Sequence, residues 1–321
     1  MARFGSIDSN GKATGSAGCR PPTPARWRQA MVMALFGTLV GTLVPTGVAQ
    51  AAGAVPPMVT IVDGEAQLID GARALQAAEG LALDKETIVR TSARSTLLRI
   101  EWPDGTVADL GPDTHAMINP GGMGSRDSPA PALYLMRGWL KLGSLGTAPA
   151  PGLLTPRLQV PAFKGSLVLM AGADETWVFA EAGNARVSER DQKAAPVLAL
   201  KAGEVYLRSG SGSARGSVSP RPSPAQMQRV PRGFRDSLPL RAGSLKDRKP
   251  VPRPAPAPTY AELREWLAAE APLRRPFTRR FVALTRDPEF RSGLIDNLRE
   301  HPEWERVLFP ERFIKPASAP R

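Results

Sequence analysis

The stretch Thr96-Leu-Leu-Arg-Ile-Glu-Trp102, Pro103-Asp104-Gly105, Thr106-Val-Ala-Asp-Leu110 decides the fold class of this chain. Its two alternating, β-prone runs are joined by an Asp-Gly pair, the residues a tight antiparallel turn asks for. The turn needs positive φ at its glycine, which explains that residue without any catalytic role. Working outward, Val59-Thr-Ile-Val62 is closed by Asp63-Gly64, Asp70-Gly71 repeats the turn signal, and Thr87-Ile-Val-Arg-Thr91 is another β-prone run. Ala132–Lys141, Leu158–Val160, Ser166–Met170, Glu175–Ala180, Ala185–Glu189 and Val197–Arg208 continue the series. Gly183-Asn184 and Ala202-Gly203 fall between or inside these runs as turns or bulges. Loops 120–131 and 146–157 are rich in Gly, Ala and Pro, and no helix-period segment of convincing length interrupts. Residues 52–210 are therefore expected to be mainly β, an antiparallel sandwich or roll of short strands.

The same residues resemble a known family. Thr87-Ile-Val-Arg-Thr91, the Ser/Ala-containing stretch 92–96, and Leu97-Leu-Arg-Ile-Glu-Trp-Pro-Asp-Gly-Thr-Val-Ala-Asp-Leu-Gly-Pro112 look like the core of a FecR domain. Gly80 fits its opening glycine, and Tyr134–Lys141, Gly183–Val187 and Leu198–Val205 fit its later strands. The resemblance covers residues 58–210 and rests on turns and β-patterning. It implies a binding or signalling role in the cell envelope. Members that signal across the membrane place a helical anti-sigma segment before the span, and residues 1–29 are too short and too poor in apolar residues to be one.

The chain of 321 residues carries a formal net charge of +12, which invites a nucleic-acid partner until the charge is located. Residues 52–210 hold 15 basic and 17 acidic side chains, whereas residues 211–258 hold 10 basic, 2 acidic and 10 prolines. That second stretch ends in Pro250-Val-Pro-Arg-Pro-Ala-Pro-Ala-Pro258 and has few large apolar residues, so it reads as a disordered basic linker with a polyproline II end. Its prolines and its single aromatic, Phe234, argue against specific nucleic-acid binding. It suits either a solubilising spacer or attraction to anionic envelope polymers or lipid headgroups.

Residues 259–316 read as a small all-α module, with 317–321 as a tail. Thr259-Tyr-Ala-Glu262 is a capping box, and Asp287-Pro288-Glu289-Phe290 and His301-Pro302-Glu303-Trp304 form a weak two-fold repeat, each opening a short helix. The aromatic set fits two readings: a buried mini-core, or an exposed face for a partner with Trp266, Phe281, Phe290 and Trp304 as the candidate contacts.

Residues 1–51 read as a signal peptide or an N-terminal membrane anchor. Arg26 and Arg28 precede an apolar run from Ala30 to Val44, Pro45 and Gly47 break it, and Ala49-Gln50-Ala51 offers a small-residue cleavage site. The run is shorter than the roughly 20 residues that span a bilayer. Cleavage predicts a periplasmic or secreted protein. Retention predicts a single-pass inner-membrane protein with its C-terminus in the periplasm, and only then a membrane partner. Cys19, the one cysteine, precedes the run and is lost on cleavage, which suits an oxidising compartment and excludes an intramolecular disulfide.

No catalytic, cofactor or metal residues are expected. There is no G-x-S-x-G, Walker loop, H-E-x-x-H or G-x-G-x-x-G opening a helix. His115 lies in the expected strand Thr114–Asn119 without an orienting partner nearby, and His301, despite Glu300, Glu303 and Glu305, sits where a helix cap belongs. Asp104 and Asp109 are the nearest pair for glycan hydrolysis, and turn chemistry explains Asp104 better. The expected function is a non-enzymatic binding module in the envelope, meeting an envelope protein or an anionic envelope polymer. The alternatives are a membrane-anchored FecR-type signalling regulator and, distantly, an envelope glycan hydrolase.

Overall fold

The computed structural model describes residues 55–123, 130–192, 195–210 and 215–313. The expected signal peptide or membrane anchor, residues 1–51 with Cys19, and the expected tail, 317–321, lie outside the described residues. The first seven strands are β1 (Met58–Asp63), β2 (Ala66–Asp70), β3 (Arg73–Gln76), β4 (Ile88–Thr91), β5 (Leu97–Glu101), β6 (Thr106–Leu110) and β7 (His115–Ile118). Then come β8 (Leu133–Ser144), β9 (Leu153–Leu154), β10 (Leu158–Val160), β11 (Lys164–Ala171), β12 (Glu175–Glu189), β13 (Leu198–Leu200), β14 (Val205–Ser209), β15 (Ser217–Ser219) and β16 (Arg253–Ala255). The expectation of a mainly β, antiparallel sandwich holds.

One sheet, which we call the strap-side sheet, has the order β1-β5-β6-β8-β11-β12-β14-β15 and is antiparallel throughout. The other, the helix-side sheet, runs β16-β3-β2-β4-β7-β8-β9-β10-β12, with β13 also on β12. Strands β8 and β12 serve both sheets, and glycines mark where they cross. Gly138 in β8 has φ +98°, and a Cβ there would sit 2.5 Å from the Thr114 Cα. Gly183 in β12 (φ +75°) faces Gly165 (φ +115°), and a Cβ on either would fall within 2.0 Å of a carbonyl oxygen of the opposite strand. Only glycine fits such corners, where a strand bends from one sheet into the next. What the sequence showed as two runs around Gly183-Asn184 is therefore one bent strand. The inner faces of both sheets meet in a core of Val59, Leu68, Val89, Ile100, Leu110, Leu135, Leu169 and Val178 among others.

The β5–β6 turn is as expected: the Gly105 N–H donates to the Trp102 carbonyl (3.1 Å) and the Trp102 N–H to the Thr106 carbonyl (2.9 Å). Asp104 Oδ1 accepts from the Thr106 N–H at 2.9 Å, and Gly105 takes φ +85°. This is a three-residue loop closed by a glycine bulge. The alternation, however, suggests a solvated outer face, and β5 and β6 are buried on both.

Residues 215–258 are the reason, and here the linker expectation is corrected. They form a strap that carries β15, α1 (Pro224–Arg229), α2 (Ala242–Leu245) and β16. Val230, Phe234 and the half-buried Leu238 pack with Leu97, Val168, Met170, Trp177 and Val205 on the outer face of the strap-side sheet. Polar groups of that face satisfy the strap's backbone: Arg99 donates to the Leu238 carbonyl (3.0 Å) and Lys141 to the Phe234 carbonyl (2.7 Å). The Glu101 carboxylate accepts from the N–H groups of Arg241 (2.9 Å) and Ala242 (2.8 Å). The segment is too poor in apolar residues to fold by itself. It is ordered because the sheet offers an apolar face and complementary hydrogen-bonding groups.

The C-terminal residues form α3 (Tyr260–Leu267), α4 (Ala271–Arg274), α5 (Phe277–Arg280), α6 (Pro288–Asp296) and α7 (Glu305–Leu308). Two of the three expected start signals are made by side-chain caps: the Thr259–Glu262 capping box, and Asp287, whose carboxylate accepts from the Glu289 N–H at 2.8 Å. The helices cover the outer face of the helix-side sheet, packing Leu263, Trp266, Phe277, Phe281, Phe290 and Trp304 against Ile69, Ile88, Met117 and Tyr134. Arg280 fastens the layer by donating to the carbonyls of Glu86 (2.6 Å) and Ile69 (2.8 Å). The exposed partner face is thereby corrected: Trp266, Phe281 and Trp304 are 0% exposed and Phe290 is 2%. The apolar stripe that would have met a partner is occupied by the chain's own sheet. Gly53–Arg321 is one compact unit.

Candidate functional site

Register places one polar side chain after another across the helix-side sheet. Arg253 of β16 pairs with Gln76 of β3, Gln76 with Gln67 of β2, and Gln67 with Arg90 of β4. Arg90 then pairs with His115 of β7, and His115 with Arg137 of β8. Residues opposite one another in a ladder share a face, so these six form a continuous row, and neighbouring strands stand about 4.8 Å apart. Ile88 of β4 and Met117 of β7, two residues along on the same face, lie under the helices. The row thus borders the covered apolar surface, and α3 runs beside it.

Glu262 and Glu265 of α3 complete the arrangement. Arg90 pairs with Glu262 (2.8 Å), and Arg137 with Glu265 (3.0 Å) and Asp113 (2.6 Å). Arg90 also donates to Gln67 (3.4 Å). His115 is 4% exposed and sits at the centre: its Nε2 is 3.0 Å from an Arg137 NH2 group and 3.4 Å from Arg90 Nε, and its Nδ1 is 3.2 Å from Glu265 Oε2. Arginine has no acceptor, so in these two contacts the guanidiniums are the donors. The hydrogen bond with His115, reinforced by Arg137, holds the Glu265 carboxyl below the usual range. Burial raises the Glu262 carboxyl, but the hydrogen bonds from Arg90 and the Thr259 N–H outweigh it and leave it lowered.

Three depressions lie along this line and share residues. The first, about 490 Å³, is lined by Gln67, Gln76, Arg90, Ser92 and Glu262. The second, about 590 Å³, is lined by Arg90, His115, Arg137, Glu262 and Glu265. The third, about 680 Å³, is lined by Arg137, Glu265, Trp139, Arg157 and Met170. Together they trace an open groove with amides at one end, paired charges in the middle and a half-buried tryptophan at the other.

His115 is in a strand, as expected, but it does have orienting partners, from β4, β8 and α3. They are 22 to 150 residues away in sequence, which is why local spacing could not show them. His301 stands before Pro302 at the expected cap position, yet its side chain does not cap. It is 0% exposed, with Nε2 3.2 Å from the Tyr260 hydroxyl. The neighbouring carboxylates turn elsewhere: Glu300 to Arg264, Glu303 to Arg274 and Glu305 to Arg312. Asp104 serves the turn, and Asp109 is buried against Arg99 through two bonds of 2.7 and 2.8 Å. Gln67, Gln76, Arg90 and Arg137 were not singled out in the sequence. Each is a polar strand residue with no local motif around it, and only the register of five separate pairings lines them up.

No protein-family model matches the chain, and no curated protein matches it significantly. Two crystal structures are similar over part of it. They are of a protein described as a "putative anti-sigma factor" from Parabacteroides distasonis ATCC 8503, at 2.50 and 1.65 Å resolution. Each shares 14% identity and a TM-score of 0.32, covering 42% of this chain and 59% of the other. The likeness is too slight to bear on function. Among the described residues, no helix is long and apolar enough to cross a membrane.

The helical layer is expected to loosen in acid. Burial lowers the His301 imidazole pKa below its ordinary 6.5, so the unfolded chain binds a proton there that the folded chain refuses. Stability is then full above about pH 6.5 and falls as pH drops below it. The lowered carboxyls of Glu262 and Glu265 act in the same direction at lower pH. Thermal melts should show the midpoint falling steadily from about pH 7.5 to about pH 4. His301→Gln should flatten the upper part of that curve and leave the carboxylate part. A midpoint that rises on acidification would contradict this assignment.

Proposed function

We propose that this chain is an exported, non-enzymatic binding module of the cell envelope, of the FecR type, and that it takes an extended ligand along the polar row beside α3. The observation that carries this reading is the row itself: Arg253, Gln76, Gln67, Arg90, His115 and Arg137 aligned across six adjacent strands. An extended chain can meet successive side chains at strand spacing, whereas a compact substrate would touch only a few. The state of His115 supports binding rather than acid–base chemistry. Its Nε2 lies against Arg137 and Arg90, and its Nδ1 side against Glu265, so protein groups already surround the ring. The FecR-like turns and strands of residues 58–210, with the leader-like residues 1–51, support an envelope location.

The test is capture from envelope extract by the whole chain lacking its leader, compared with the double variant Gln67→Ala, Gln76→Ala. Neither glutamine belongs to an ion pair, so the variant should fold normally and lose the specifically captured material. Equal capture by both proteins would rule out the row as the binding surface. Turnover in a broad glycan and peptidoglycan screen would replace binding with hydrolysis. N-terminal sequencing of the protein from cells addresses location: a new terminus at Ala52 fits export, and an intact Met1 fits the anchored regulator.

A further inference from the structure

Only part of the strap's positive charge is used on the surface it covers. Of its basic residues, Arg229 pairs with Glu175, Arg241 and Arg248 with Glu79, and Arg215 bonds to Gln192. Arg221, Arg232, Arg235, Lys246, Lys249 and Arg253 are all exposed, and none of them makes an ion pair among the described residues. Against these six cations the strap has two acids, Asp236 and Asp247, also exposed. The cations are held at fixed positions. Arg232 and Arg235 flank Phe234, which is buried on the strap-side sheet. Lys246 caps α2, which packs on β1. Pro250 and Arg248 lie against Gly80, and Arg253 is in register with Gln76 of the helix-side sheet.

We propose that residues 221–253 form a pre-ordered basic band that binds an extended anionic polymer. Like charges along one ordered strap repel one another, and an anionic chain laid along them would relieve that repulsion. The course of the band selects its shape. It crosses the outer face of the strap-side sheet from the β12 side to β1, then turns past Gly80 to the edge strand of the helix-side sheet. From β12 to β1 the sheet has six strands, so at about 4.8 Å per spacing that crossing is roughly 24 Å long, before the turn. A flat lipid surface meets one side of such a path, whereas a flexible polyanion follows it around the edge. Because the strap is ordered before binding, little further chain entropy is lost. The proposal rests on the envelope reading only for where the polymer is met; the band shares Arg253 with the polar row and otherwise uses different residues.

The experiment measures binding of the leaderless chain to long-chain polyphosphate and to polygalacturonate. Neutral dextran and vesicles of phosphatidylglycerol with phosphatidylcholine serve as comparisons. Expected are binding to at least one polyanion, none to dextran, and a loss of affinity of tenfold or more between about 50 and about 200 mM salt, as counterion release predicts. The quadruple variant Arg232→Gln, Arg235→Gln, Lys246→Gln, Lys249→Gln should weaken binding at least tenfold while its melting temperature stays level or rises. A control variant removes the same charge from the helical layer: Arg275→Gln, Arg279→Gln, Arg286→Gln, Arg299→Gln. It should bind polymer like the parent. Equal weakening in both variants would mean net charge alone acts, and would overturn the band. So would failure to bind either polymer, or tighter binding to vesicles than to polymer. The Gln67→Ala, Gln76→Ala variant should bind polyanion normally, so failure of the groove and failure of the band give different results.

Discussion

Asp109→Ala is expected to destabilise the fold by about 3–5 kcal/mol, the cost of leaving a buried guanidinium without its partner. Arg99 and Asp109 are each 3% exposed and are joined by two parallel bonds across the β5–β6 hairpin. Arg99 has one further bond, to the Leu238 carbonyl of the strap. Losing the carboxylate therefore strains both the sheet and its cover. Urea unfolding monitored by circular dichroism measures the loss. The paired replacement Arg99→Met, Asp109→Leu removes both charges at similar volume and is expected to lie within about 1–2 kcal/mol of the parent, because such pairs rarely exceed a well-packed apolar substitute. If the single variant costs under about 1 kcal/mol, solvent reaches the pair and the strap does not seal this face.

Trp266→Ala should cost about 3–5 kcal/mol by emptying the largest side-chain volume between α3 and the helix-side sheet. Trp266 is 0% exposed, with its ring 6.0 Å from that of Tyr134. Tyr134 in turn donates to Glu270 at 3.0 Å, so the hole opens beside a polar tie between the helices and the strand. The effect should reach the groove, because α3 also carries Glu262 and Glu265. Limited proteolysis should cut the variant first within residues 259–313, and ligand capture should fall along with stability. Trp266→Phe keeps most of the contact. Since the indole N–H has no hydrogen-bond partner among the described residues, it should cost clearly less than alanine, under about 2 kcal/mol. Equal losses for phenylalanine and alanine would show that the N–H is bonded after all.

The local elements were legible because their causes are local. Asp104-Gly105 specifies its turn through one glycine in positive φ, and Thr259 and Asp287 mark helix starts through hydrogen bonds that reach only two or three residues. The polar row was not legible. Arg90 and His115 look unrelated in sequence and become neighbours only when β4 is registered on β7, and Glu265 joins them through packing of α3. The sequence leaves the aromatic set open between a buried core and a partner face, because which of the two it meets depends on what lies opposite, and periodicity does not contain that.

The sequence by itself determined strands, turns, caps and the concentration of positive charge in residues 211–258, all set by neighbouring residues. Tertiary structure alone decided what those pieces face. It turned the apparent tether into a strap, because the sheet's outer side presents apolar area and polar groups to a segment too poor in apolar residues to order itself. It aligned six scattered polar residues, because β-register is fixed by hydrogen bonds between distant strands. Short-range preferences choose the elements; long-range pairing and burial choose their neighbours.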